Sequence, residues 1–140
     1  MKRELQLKVN IPELSYSWIE CASAFPTKGK PGITYRKDVD DKFAPEAVSE
    51  ALLYYDTDGN LTGILNYFPN DMSAPEPEMK AFAERAGAFN TIVDPERRTL
   101  GIGLKLLHEA VRRWPINFEQ QNYTPDGFRL VQGFIIPSKS

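Results

Sequence analysis

The stretch that most constrains the fold runs from Ala88 to Trp114, where a short apolar run, a turn with two glycines and a long amphipathic pattern follow in succession. Ala88–Val93 reads as a strand stopped by Asp94-Pro95. From Gly101 to Trp114, the side chains of Ile102, Leu106, Leu107, Ala110, Val111 and Trp114 fall on one stripe, as in a helix that buries a single face, and Pro115 ends it. The opposite face carries Lys105, Glu109 and Arg113 at successive i,i+4 spacings, and His108 shares that solvated side. Arg112 and Arg113 stand where cations suit a helix C-terminus. A strand leading through a short connection into such a helix calls for a mixed α/β (α+β) chain.

The remaining segments supply further elements. Glu4–Val9 alternates polar and apolar residues, which predicts a first strand, and Ser15–Phe25 carries Trp18, Ile19 and Ala22 at helical spacing after a serine cap. Thr27–Gly32 lacks the Gly-Lys-Ser/Thr order of a phosphate loop and reads as a flexible surface loop. Pro45 at a first-turn position predicts a second short helix through Ser49. Ala51–Tyr55 and Leu61–Phe68 flank Asp56-Thr57-Asp58-Gly59-Asn60, a strong hairpin signal. That turn is no calcium loop, because its glycine comes too early and Tyr67 stands where a bidentate glutamate is needed. Pro69–Pro77 reads as a connection, Met79–Arg85 as a turn or two of helix, Ile116–Gln120 as a strand, and Thr124 or Pro125 to about Gln132 as a last helix.

Composition excludes several classes of function. At 140 residues the chain suits a single domain over 1–140, large enough to bury a core without disulfides or a structural metal. One cysteine, Cys21, and one histidine, His108, leave no soft-ligand cluster for zinc or iron, so no metal site is expected. No apolar run approaches the roughly 20 residues of a membrane span, and the N-terminus lacks a secretory pattern, which points to the cytoplasm and away from a membrane. A formal charge of -2 argues against a nucleic-acid partner. Charge is uneven, however: Asp38, Asp40, Asp41, Glu46 and Glu50 make an acidic stretch, and Arg97, Arg98, Lys105, Arg112 and Arg113 a basic one.

The candidate site is Val93-Asp94-Pro95-Glu96-Arg97-Arg98-Thr99-Leu100-Gly101-Ile102-Gly103. A helix N-terminus offers unpaired N–H groups and partial positive charge, and glycines let a diphosphate approach them. Leu106 stands where a dinucleotide fingerprint has its third glycine, so that fold is not indicated. Arg98-x-x-Gly101-x-Gly103 after Val93-Asp94-Pro95 resembles the acetyl-CoA-binding motif of the GNAT N-acetyltransferase superfamily, with Thr99 where many members have glycine. Asn122 and Gly133-Phe134 match part of a second family motif, in which Pro125 replaces an alanine and Arg129 a tyrosine that often acts as general acid.

The resemblance implies a GNAT-like acyltransferase fold, with a mixed, mostly antiparallel central sheet flanked by helices and a shortened C-terminus. The short tail after Phe134 implies that a second subunit, as in a homodimer, covers the open edge. It also implies acetyl-CoA as co-substrate and a small-molecule amine or peptide as acceptor. Ile92 and Val93 would then lie along pantetheine, while Arg98, Thr99, Leu100, Gly101, Ile102, Gly103 and Asn122 would contact the cofactor. Tyr123 would replace the missing general acid, Asn90, Glu119 or Asp126 would orient water or substrate, and Tyr54, Tyr55 and Tyr67 would line the acceptor side. The alternative is a catalytically silent module that works through protein–protein interaction, in keeping with Arg129 at the tyrosine position.

Overall fold

Four strands, β1 (Gly32–Asp41), β2 (Ala44–Tyr55), β3 (Leu61–Phe68) and β4 (Ala88–Val93), pair in sequence order as one antiparallel sheet. The computed structural model describes residues 18–41, 44–69, 87–119, 123 and 125–135. The strand expected at Glu4–Val9, the helical turns at Met79–Arg85 and all of the Pro69–Pro77 connection but Pro69 lie outside them.

Alternation of side chains gives the sheet two apolar faces. Leu52, Leu65, Tyr67 and Phe89 share one cluster with Ile102, Leu106, Leu107 and Ala110 of α2 (Ile102–Arg113), with Tyr123 and with Val131 of α3 (Pro125–Ile135). Leu53, Tyr55, Leu61 and Ile64 form a second cluster, against which Ile92 and Trp18, Cys21 and Ala22 of α1 (Trp18–Ala22) pack. The chain is therefore a mixed α+β structure with helices against both faces of an antiparallel sheet. Gly63 permits the closest approach between layers: a Cβ there would lie 2.6 Å from Ile102 Cγ2 and 3.1 Å from Leu106 Cδ1.

Several elements differ from the sequence expectation. Pro45–Ser49 is strand rather than helix, because β2 continues along β1 with Val39 opposite Ser49 and Asp40 opposite Val48. The register then jumps to Asp41 opposite Ala44, so Pro45 falls in the bulge, where its missing N–H breaks no ladder bond. Ile116–Glu119 is bent backbone rather than strand. Pro115 opens it without a donor, and its carbonyl accepts the Tyr67 hydroxyl at 3.0 Å. The last helix runs on to Ile135.

Thr27–Gly32 is exposed, yet it is pinned rather than free. Thr27 O accepts from Leu61 N at 3.0 Å, Gly29 N donates to Gly59 O at 3.0 Å, and the Tyr55 hydroxyl donates to Pro26 O at 2.9 Å. What it is pinned to is the hairpin turn, which Asp56 organises. Asp56 Oδ1 accepts from the N–H groups of Asp58 and Asn60, each at 2.9 Å, and Oδ2 receives Arg97 Nη1 at 2.9 Å. The Asn60 N–H foremost, with the Asp58 N–H and Arg97, holds the Asp56 carboxyl below its ordinary value against the raising effect of burial.

A lowered carboxyl pKa means that the folded chain binds fewer protons than the unfolded one, so this contribution is complete above the unfolded pKa and fades as pH falls through the folded one. Asp56→Asn is therefore expected to be less stable than wild type at pH 7, with the gap closing as pH falls below the ordinary carboxylate range, from about pH 4 downward. Urea unfolding across that range checks it; a gap that stays constant would contradict the assignment.

Candidate functional site

The site expected from the sequence sits where β4 leaves the sheet. β4 pairs with β3 without interruption from Val93 opposite Gly63 to Ala88 opposite Phe68. Just beyond it, Asp94 N donates to Thr62 O at 2.9 Å. Antiparallel bonds join every second residue pair, so this bond fixes the phase: Ile92 and Asn90 are turned to β3, and the peptide groups of Val93 and Thr91 face away from it. Thr91 Oγ1, in addition, is buried without a hydrogen-bond partner among the described residues.

Between β4 and α2 the expected open loop is a 3₁₀ helix, Pro95–Leu100. Asp94 caps it by accepting from Glu96 N at 3.1 Å, and Pro95 presets the first backbone angle. Arg98, Thr99 and Leu100 close this turn; their side chains lie outside the description. Arg97 is committed to Asp56. The chain then reverses at Gly101, whose φ of 70° and ψ of 19° are left-handed, and α2 begins at Ile102.

This N-terminus is unusual in what it lacks. Among the described residues no side chain caps it, and no acidic residue occupies its first turn. Ile102, Gly103 and Leu104 have no acceptor within the helix, since the first helical bond is Lys105 N to Gly101 O at 3.1 Å. Gly101 is exposed, and a Cβ built on it would meet nothing within 4 Å among the described residues, so they leave the approach at Gly101 open. Lys105, one turn in, lies with Nζ 5.5 Å from the Tyr54 ring centre and 3.5 Å from its hydroxyl. A cation there opposes the helix dipole, which favours anions at this end. Uncapped amides, a glycine opening and a lysine fit a diphosphate.

The other candidates do not converge on this corner. Gly103 also serves packing, because a Cβ there would come within 3.2 Å of Leu130 Cδ1 on α3. Val93 lies against the α2–α3 cluster, and Ile92 against the α1 cluster on the opposite face. Asn90 Oδ1 accepts from Asn66 Nδ2 at 2.9 Å. Tyr123 is buried, and its hydroxyl donates to the Phe118 carbonyl rather than facing a site. Tyr55 and Tyr67 are core residues, and burial raises both phenol pKa values, with Glu50 adding to the effect at Tyr67. Asp126 is exposed and paired with Arg129, and Asn122 lies outside the described residues. Thr91 and Gly63 give no sequence signal as site residues, because their roles depend on pairing phase and on contacts distant in the chain, and Lys105 is marked only as a member of the basic stretch.

Glu119 marks a second feature at the far end of β4, about 17 Å away at ~3.3 Å per residue. There a cleft of about 530 Å³ is lined by Tyr67, Gly87, Pro115, Asn117, Phe118 and Glu119, among others. Asn117 N donates to Gly87 O at 2.9 Å, tying the segment after α2 to the start of β4. Among the described residues, no group of three or more His, Cys, Asp or Glu side chains is placed to hold a metal, and no helix is long and apolar enough to cross a membrane. No family model matches the chain, and neither a curated protein nor a solved structure matches it.

Proposed function

We propose that the chain binds an acyl-CoA at the corner between β4 and α2 and transfers its acetyl group to an amine. The observation that carries this reading is the N-terminus of α2: uncapped, without an acid in its first turn, fronted by left-handed Gly101 and followed by Lys105. The amides of Ile102, Gly103 and Leu104 would hold the diphosphate, with Lys105 and Arg98 as neighbouring cations. The peptide groups of Thr91 and Val93, turned away from β3, would accept the amide-bearing arm as an added strand does.

An acyl-CoA supplies an activated acyl group, so a C–N bond forms as the C–S bond breaks, and a primary ammonium gives up two protons, one ending on the thiol and the other in water. A peptide N–H on the free side of β4 would stabilise negative charge developing on the carbonyl oxygen. Tyr123 has a positioning role in this account: it ties down the Phe118 carbonyl, which leaves proton transfer to water. Calorimetric titration with acetyl-CoA tests the reading. Binding with a rise in thermal stability is expected, and no heat and no shift at about 1 mM ligand would end it.

A second reading, a module that binds a protein partner without turnover, draws support from the engagement of Tyr123 and Asn90 within the fold. The two part on amine-dependent release of free thiol from acetyl-CoA, which only the first predicts.

A further inference from the structure

The cleft beyond the start of β4 lies at the C-terminal end of α2, where the helix presents unpaired carbonyls and partial negative charge. Trp114 ends the helix, donating its N–H to Ala110 O at 2.9 Å, and Pro115 follows as part of the cleft wall. Arg112 and Arg113 both reach back to Glu109, at 3.0 and 2.7 Å, and the Arg113 guanidinium also lies 5.0 Å from the Tyr35 ring centre. Glu119 lines the cleft, and Glu50, which accepts from the Tyr35 hydroxyl, lies close enough to Tyr67 to act on its ionisation. The rest of the lining is largely aromatic or aliphatic: Tyr67, stacked on Trp114 with ring centres 4.6 Å apart, Phe118, Ile116 and two prolines.

We propose that this cleft is a binding site for a primary ammonium group carried on an apolar tail, with the Glu119 carboxylate as its anchor. A carboxylate has about four acceptor positions, so it serves an incoming ammonium alongside a partner it already holds. The tail would lie on Phe118 and Ile116. The site is separate from the glycine corner, and its occupancy needs no cofactor.

Titration with 2-phenylethylamine in the absence of any CoA tests this, with 2-phenylethanol as the neutral comparison. The amine is expected to bind at least about tenfold more tightly than the alcohol, and Glu119→Gln to remove that preference. Should Glu119→Gln fail to fold by circular dichroism, the comparison of amine with alcohol on the wild type still decides. Equal binding of the two compounds, no binding of the amine at about 10 mM, or an undiminished preference in a folded Glu119→Gln chain would overturn the proposal. Failure here leaves the acyl-CoA reading untouched, because that reading stands on a separate titration.

Discussion

Gly63→Val is expected to destabilise the fold by about 3 kcal/mol or more, read as a lowered urea midpoint with little change in slope. Glycine in a strand interior is ordinarily worse than a residue with a side chain by about 0.5–1 kcal/mol, so the substitution brings a gain of its own. Here that gain is outweighed. The first added carbon would stand 2.6 Å from Ile102 Cγ2, a branch atom fixed next to the helix backbone, and 3.1 Å from Leu106 Cδ1. Both are buried core residues, so α2 must lift from the sheet. Overpacking of this kind usually costs about 1–3 kcal/mol, and the two valine methyls take it to the upper end or beyond. Gly63→Ala should fall between. Because Ile102 is the first residue of α2, the same substitution should weaken acetyl-CoA binding; a stabilised variant would contradict the packing described.

Gly101→Asn separates stability from binding. Valine there would combine left-handed strain of roughly 1–2 kcal/mol with a blocked opening, leaving the cause of any loss ambiguous. Asparagine tolerates the left-handed region and meets no neighbouring atom at its Cβ, so stability should fall by less than about 1 kcal/mol. Its side chain nevertheless enters the space in front of the α2 amides. Affinity for acetyl-CoA is therefore expected to drop at least about tenfold, the loss of one charge-assisted contact. Unchanged affinity would place the diphosphate elsewhere.

Local chemistry made part of this molecule legible from its sequence. The hairpin of β2 and β3 could be read from Asp56–Asn60, because an aspartate that bonds two main-chain donors and a left-handed Gly59 form a turn with short-range atoms alone. The apolar stripe of α2 and the strand β4 were equally plain: Ile102, Leu106, Leu107 and Ala110 are the residues buried. What stayed hidden depends on distant partners. Pro45 resembles a helix start until β1 and its bulge are known, and the pairing of β1 with β2 itself shifts register between Arg36 and Val39. Gly101 shows its purpose in sequence, whereas half the reason for Gly103 is Leu130 on another helix. Tyr123 reads as available for chemistry even though its acceptor, the Phe118 carbonyl, is only five residues away, because a bond to a main-chain carbonyl depends on the path of the backbone and not on residue type. The cleft near Glu119 was invisible, since Tyr67 and Pro115 meet there across 48 positions.

In the proposed function the first-turn amides of α2 receive an anion, and amide NMR reads those groups one by one. Adding CoA to the isotope-labelled chain should shift the amide resonances of Ile102, Gly103 and Leu104 most, followed by those of Thr91 and Val93, and adenosine alone should leave the first three in place. Saturable CoA binding with these amides unmoved and the largest shifts on another surface would contradict the account.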